Sequence, residues 1–273
     1  MKPIIKYRGG KSKEIPQIIQ YIPQFDGRYI EPFLGGGAMF FHLEPNNAII
    51  NDINVRLINF YKSVQQDFMQ LSMELAELEN IYSNNRLEFD KLKKLHPEDR
   101  IPDENETLYY QLRDMYNGLI PSTYSDAALY YFINKTAFSG MIRFNAKGEY
   151  NVPYGRYKNL NTKIITEAHH ALLVNTEIHN TDYSDIFNLV NPDDFVFLDP
   201  PYDCIFSDYG NIQYQDGFNE ENHRRLAEDF YNLGCRSLMV IGDTPLIRDL
   251  YGNNIIAAVS YTHLRAHETS QDL

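Results

Sequence analysis

Near residue 200 an apolar run ends in an acid: Phe195-Val196-Phe197-Leu198-Asp199-Pro200-Pro201-Tyr202. The run reads as a buried strand, and open α/β sheets place their chemistry at the carboxyl ends of strands. Two prolines fix φ and have no N–H to donate. The turn therefore offers acceptors, the Asp199 carboxylate and the Pro200 carbonyl. A planar exocyclic amine such as adenine N6 suits it. That nitrogen is a poor nucleophile because its lone pair is delocalised into the ring. Two acceptors on its N–H bonds favour a pyramidal nitrogen and stabilise the positive charge that grows as a methyl group arrives. Tyr202 is placed to stack on a base swung out of a duplex. The same acceptors would serve cytosine N4, an RNA base or a protein glutamine, and a plain turn after a strand needs no chemistry.

A second constellation precedes it. Glu31-Pro32-Phe33-Leu34-Gly35-Gly36-Gly37 falls where a first strand ends and a helix begins. Glycines there let the backbone approach a ligand closely. After the next short strand comes Asn51-Asp52-Ile53-Asn54, an acid placed to hold two ribose hydroxyls. A dehydrogenase would hold NAD with such a pair. Here, however, GxGxxG is absent and no basic residue follows the glycines to meet a pyrophosphate. That favours S-adenosylmethionine, which has a ribose and an amino acid but no phosphate. A structural glycine turn with Asp52 as a helix cap is the bland alternative.

The elements that must position these residues alternate. Residues 28–52 read as strand, turn, helix and strand, and residues 195–241 as strands FVFLD and SLMVI around the helix EENHRRLAEDFYNL. Such alternation predicts a parallel α/β sheet. Between them, residues 54–95 and 125–137 have helical spacing, and residues 138–159 read as a hairpin with long loops. TEIHN (176–180) is a further strand, and NNIIAAV (253–259) another. Asp182-Tyr183 is placed to flank a cofactor's adenine or to cap a helix. His169-His170 read as part of a surface helix without chemistry.

No apolar run is long enough to span a bilayer, no signal-peptide pattern opens the chain, and Cys204 and Cys235 form no disulfide framework or metal cluster. A cytoplasmic protein without a metal is expected. The net charge of −12 over 273 residues opposes a nucleic-acid partner at first sight. The distribution does not. Lys2, Lys6, Arg8, Lys11 and Lys13 occur without an acid in residues 1–13, and Lys135, Arg143, Lys147, Arg156, Lys158 and Lys163 face Glu149 alone in residues 134–163. Phosphate binding depends on such local patches.

Taken together, KYRGGK (6–11), EPFLGGGAMFF, NDIN, NKTAFSGMIRFNAKGEYNVPYGRYKN and DPPYD, in this order, resemble the DNA adenine methylase family, the D12 class, over residues 3–259. The resemblance implies a Rossmann-like, S-adenosylmethionine-dependent methyltransferase core (1–56 and 176–259) with an inserted, mostly helical target-recognition domain (57–175). It implies adenine methylation in double-stranded DNA, GATC being the first choice of site, by a protein that needs only to be a monomer. By that likeness Tyr7, Lys11, Phe33, Gly35 and Gly37 hold the cofactor, Asp52 its ribose, and Asp199 lies near both cofactor and amine, with Pro200 and Tyr202. Phe138, Ser139, Met141 and Arg143 match positions that probe the duplex, with Arg143 as the guanine reader. Pro153, Arg156 and Tyr157 match further DNA-facing positions.

The likeness is expected to stop at Val259. Residues 260–273 read as a non-native or disordered tail on a truncated chain, and His263 and His267 within it are not a metal site. An inactive DNA-binding homologue is the reading from another class.

Overall fold

Short, largely apolar runs become the strands of a parallel sheet. A computed structural model describes residues 1–7, 9–202 and 218–258. Arg8, Asp203, Cys204, Val259 and the tail with its two histidines lie outside the described residues.

The strands are β1 (Tyr29–Glu31), β2 (Ala48–Asn51), β3 (Thr176–His179), β4 (Phe195–Leu198) and β5 (Arg236–Met239), in the order β3-β2-β1-β4-β5. All pairings are parallel. The three inner strands are buried along their length, whereas the two outer ones are partly exposed. Side chains alternate between two cores, as the period of a strand requires. Tyr29, Ala48, Ile50, Phe195 and Phe197 enter one, and Ile30, Ile49, Val196 and Leu198 the other. Each fully buried Phe, Leu or Ile contributes about 1.5–3 kcal/mol through transfer from water.

The helices are α1 (Ile15–Ile18), α2 (Ala38–Leu43), α3 (Val55–Gln66), α4 (Phe68–Leu95), α5 (Glu104–Tyr116), α6 (Asp126–Thr136), α7 (Glu167–Val174), α8 (Tyr183–Phe187), α9 (Glu220–Tyr231) and α10 (Pro245–Tyr251). Their starts are written in the sequence. Asn54, Asp103, Ser125, Asp182, Asn219 and Thr244 each accept a backbone N–H of the first turn, a cap worth about 1 kcal/mol. Helices α3 to α7 lie between β2 and β3. Their buried faces join the same core as one face of the sheet. Helix α5, which spacing alone does not announce, packs between α4 and α6 through Tyr109 and Leu112. No helix among the described residues is long and apolar enough to cross a membrane.

The hairpin with long loops over 138–159 is present, its arms paired at two antiparallel bridges, Ala137–Tyr154 and Phe144–Tyr150. Two expectations change. His169 and His170 do lie on α7, but His169 is buried rather than on the surface. Its Nδ1 completes a capping box with Thr166, and its Nε2 lies 2.9 Å from the Lys2 carbonyl, which turns the ring inward. Finally, 253–259 is no strand where it is described. Gly252–Asn254 forms a 3-10 turn, and Ile255 and Ile256 are 45% and 67% exposed. No described strand lies on the outer side of β5 to complete a ladder, and an apolar run without a partner cannot satisfy its backbone as a strand.

Candidate active site

Strand order reverses between β1 and β4, the place where an open α/β sheet leaves a crevice beyond its carboxyl ends. A cleft opens there. It is lined by Tyr7, Gly9–Lys11, Glu31–Met39, Asn51–Ile53, Thr181, Tyr183, Phe197 and Asp199–Tyr202. All residues expected to hold a cofactor or act on an amine are therefore brought together: Tyr7, Lys11, Phe33, Gly35, Gly37, Asp52, Asp199, Pro200 and Tyr202.

Asp199 follows the last residue of β4. Lys11 Nζ lies 2.7 Å from its Oδ1 and 2.9 Å from its Oδ2, and also donates to the Gly9 carbonyl at 2.9 Å. The same ammonium sits 4.7 Å from the centroid of the Tyr202 ring, so one cation fixes both the acid and the aromatic of the turn. Burial pushes the Asp199 carboxyl up to about 6, against the pull of Lys11. On Lys11 burial acts downward, but the Asp199 carboxylate outweighs it and holds the ammonium above its ordinary range.

The glycine turn is shaped around Tyr7. A Cβ at Gly35 or Gly36 would come within 2.9 Å of Tyr7 side-chain atoms, and Gly35 has φ +50°. Gly37, at φ +66°, caps α2 in the left-handed region that favours glycine. Asp52 holds this turn from β2: Oδ2 accepts the Gly35 N–H and Oδ1 the Asn54 N–H, both at 2.9 Å. Burial pushes its carboxyl up to about 6 despite those two donors.

Sequence reasoning assigned no role to two residues that organise the cleft. Glu31 ends β1, is 2% exposed and accepts the Tyr29 hydroxyl at 2.7 Å. Burial pushes it up to about 8, with Asp199 adding repulsion and the Tyr29 hydroxyl resisting. The signal that exposes Asp199, an acid closing an apolar strand, was present at Glu31 too. Asn51 ties three strand ends together. Its amide donates to the carbonyls of Pro32 and Thr181 at 3.0 Å and accepts the Thr181 N–H at 3.0 Å. No local pattern marks that role, because its partners lie 19 and 130 residues away. For Asp182 the capping reading holds: it caps α8 and pairs with Arg225, while Tyr183 lines the cleft and packs 5.3 Å from Phe33.

The residues expected to face DNA lie apart from the cleft lining. Phe138 and Ser139 form an exposed 3-10 turn, with Ser139 at φ 54°. Met141 is half-buried against the core. Arg143 is exposed, its Nε donating to Asn151 Oδ1 at 2.8 Å and Nη2 to the Asn151 carbonyl at 3.2 Å. Pro153 and Arg156 are exposed, and Arg156 lies 3.6 Å from Glu106. The N-terminal segment joins the two regions. Lys6 exchanges hydrogen bonds with the Asn134 side chain at 2.8 and 2.7 Å and sits 4.0 Å above the Tyr157 ring, immediately before Tyr7.

Lys11 is the one basic side chain among the described residues of the cleft, and it is committed to Asp199. Among the described residues the cleft thus offers carboxyls and glycine backbone but no free cation for a phosphate. Among the described residues no group of three or more His, Cys, Asp or Glu is placed to hold a metal ion.

The parallel sheet is consistent with a Rossmann-like methyltransferase core, and comparison with known proteins gives the class. A sequence model of the D12 class N6 adenine-specific DNA methyltransferases matches residues 7–266. The chain belongs to that family. The match runs past Val259, where the resemblance was expected to end. Type II methyltransferase M.CviBI of Paramecium bursaria Chlorella virus NC1A is 37% identical over 260 residues, which span 93% of this chain and 88% of that protein. Type II methyltransferase M.MjaIII of Methanocaldococcus jannaschii is 34% identical over 92% of this chain and 87% of its own. The retron Ec67 DNA adenine methylase of Escherichia coli is 28% identical over 93% and 81%. The protein is an adenine-specific DNA methyltransferase.

Proposed function

We propose that the cleft binds S-adenosylmethionine and that the enzyme methylates N6 of an adenine flipped out of duplex DNA, within GATC. The observation that carries this reading is Asp199 and Pro200 opening into the same cleft as Asp52 and the glycine turn. The donor set fits the cofactor. Asp52 has lone pairs left for ribose hydroxyls, Gly35, Gly36 and Gly37 present backbone to the cleft for its amino-acid end, and Glu31 is a buried acid paired with no cation among the described residues, suited to an ammonium. Phe33 and Tyr183 supply an apolar wall for its adenine.

When bound, S-adenosylmethionine supplies a methyl group on a positively charged sulfur, an already activated leaving arrangement. The protein's task is then positioning and electrostatics. Asp199 and the Pro200 carbonyl accept the two N–H bonds of the target amine and draw its lone pair out of the ring plane. Lys11 keeps Asp199 ionised and aimed. Tyr202 takes the face of the flipped base. We assign residues 57–175 to DNA recognition, with Phe138, Ser139 and Met141 against the opened base pair, Arg143 on a guanine edge, and Pro153, Arg156 and Tyr157 along the duplex.

Nucleoside analysis of duplex DNA incubated with enzyme and donor tests the acceptor atom. N6-methyladenine as the sole new nucleoside is expected. N4-methylcytosine would move the reaction to another amine, and methylation of RNA or protein alone would remove DNA as substrate.

A further inference from the structure

Arg56 breaks local rules. It is the second residue of α3, where the unpaired N–H groups of a helix start disfavour a cation. Its Nη1 is buried with no hydrogen-bond partner. What surrounds the guanidinium is aromatic: its central carbon lies 4.4 Å from the ring centroid of Tyr116, the last residue of α5, and 5.1 Å from that of Phe144. Tyr150 closes the group edge-on, 5.9 Å from Tyr116 and 5.7 Å from Phe144. A cation set against two aromatic rings and partly withdrawn from water is stabilised by both. Features that break a local rule without local return tend to serve a site.

The two ends of this clamp belong to different regions. Phe144 is bridged to Tyr150 in the hairpin and directly follows Arg143. Arg56 follows Asp52 by four residues, in the first turn of the helix that begins directly after the turn whose acid grips Gly35 and Asn54. Two isolated bridges do not make a self-supporting hairpin, so side chains must set its position.

We propose that Arg56 is a specificity-determining positioning residue, clamped between Tyr116 and Phe144 so that the hairpin carrying Arg143 is fixed against the turn carrying Asp52. Its effect on specificity rests on the reading of Arg143 as a base reader; the clamp itself does not.

Arg56→Leu removes the cation and retains apolar bulk. Amide hydrogen exchange should quicken over residues 141–151 while β2 and α7 keep wild-type protection, a readout independent of activity. On duplexes, the kcat/KM ratio for GATC over singly altered sites should fall about tenfold, with the dissociation constant for the donor unchanged. Arg56→Lys, which keeps a cation, should recover part of both. Phe144→Ala should reproduce the loss, and the double variant should lose no more than either single one. If Arg56→Leu does not fold, Arg56→Lys and Phe144→Ala carry the same comparison. Unchanged exchange over 141–151, additive losses, or exchange raised throughout the chain would overturn the clamp. A wild-type enzyme without site preference would instead overturn the Arg143 reading, and the exchange result would still decide the clamp.

Discussion

Asp199 stands between two opposing influences, burial that favours its neutral form and Lys11 at 2.7 Å that favours the carboxylate. Only the carboxylate accepts an amine N–H without competing as a donor. With the carboxyl at about 6, turnover at saturating donor should fall as pH is lowered through about 6, measured as kcat from pH 5 to 8. Stability should run the other way. Asp199, Asp52 and Glu31 all have folded-state values raised to about 6, 6 and 8. Such groups stabilise the fold fully below their unfolded values near 4 and lose that contribution as pH rises through the folded ones. Denaturant midpoints of the unliganded protein should therefore decline between pH 5 and 8, and Glu31→Gln should flatten the decline. Asp199→Ala should lower kcat by at least ~100-fold, the scale of losing one preorganised electrostatic group. Near-normal turnover in that variant would remove Asp199 from the mechanism.

At the scale of elements, the cleft is built where strands end, and the proposed base reader sits on the hairpin. Arg143 belongs to the hairpin, with one edge of its guanidinium occupied by Asn151. Arg143→Ala should cost about 1–3 kcal/mol at the cognate site and relax one base position, read from rates on singly altered duplexes. An equal loss on every sequence would make it a phosphate contact. The strands and their acids were legible because burial on both faces leaves unbroken apolar runs, and an acid that closes such a run stands out. Phe195–Leu198 with Asp199 shows this. Asn51 was illegible as an organiser because its partners Pro32 and Thr181 are near only after folding. Residues 253–259 misled for a related reason: strand propensity is realised only beside another strand, and none is described there. His169 faces inward because of a capping box whose fourth member is a histidine rather than the usual Glu or Gln.

For the whole molecule, the contrast is between a net charge of −12 and basic residues gathered at the N-terminus and in 134–163. We propose that DNA approaches along these two segments and is repelled by the acidic remainder. Affinity should fall steeply with salt. Replacing exposed Lys147 or Lys158 by glutamine should reduce the log–log salt slope by about 1 each if they contact phosphates, with equal weakening on all sequences. An unchanged slope would place the DNA on another surface.

The central claim, methyl transfer to adenine in a defined duplex site, is tested most directly by incubating the protein with methyl-labelled S-adenosylmethionine and two duplexes, one containing GATC and one with that sequence scrambled. Label in adenine of the GATC duplex alone is the predicted result. Absence of label from both, for protein that is folded and binds the donor, would contradict the account.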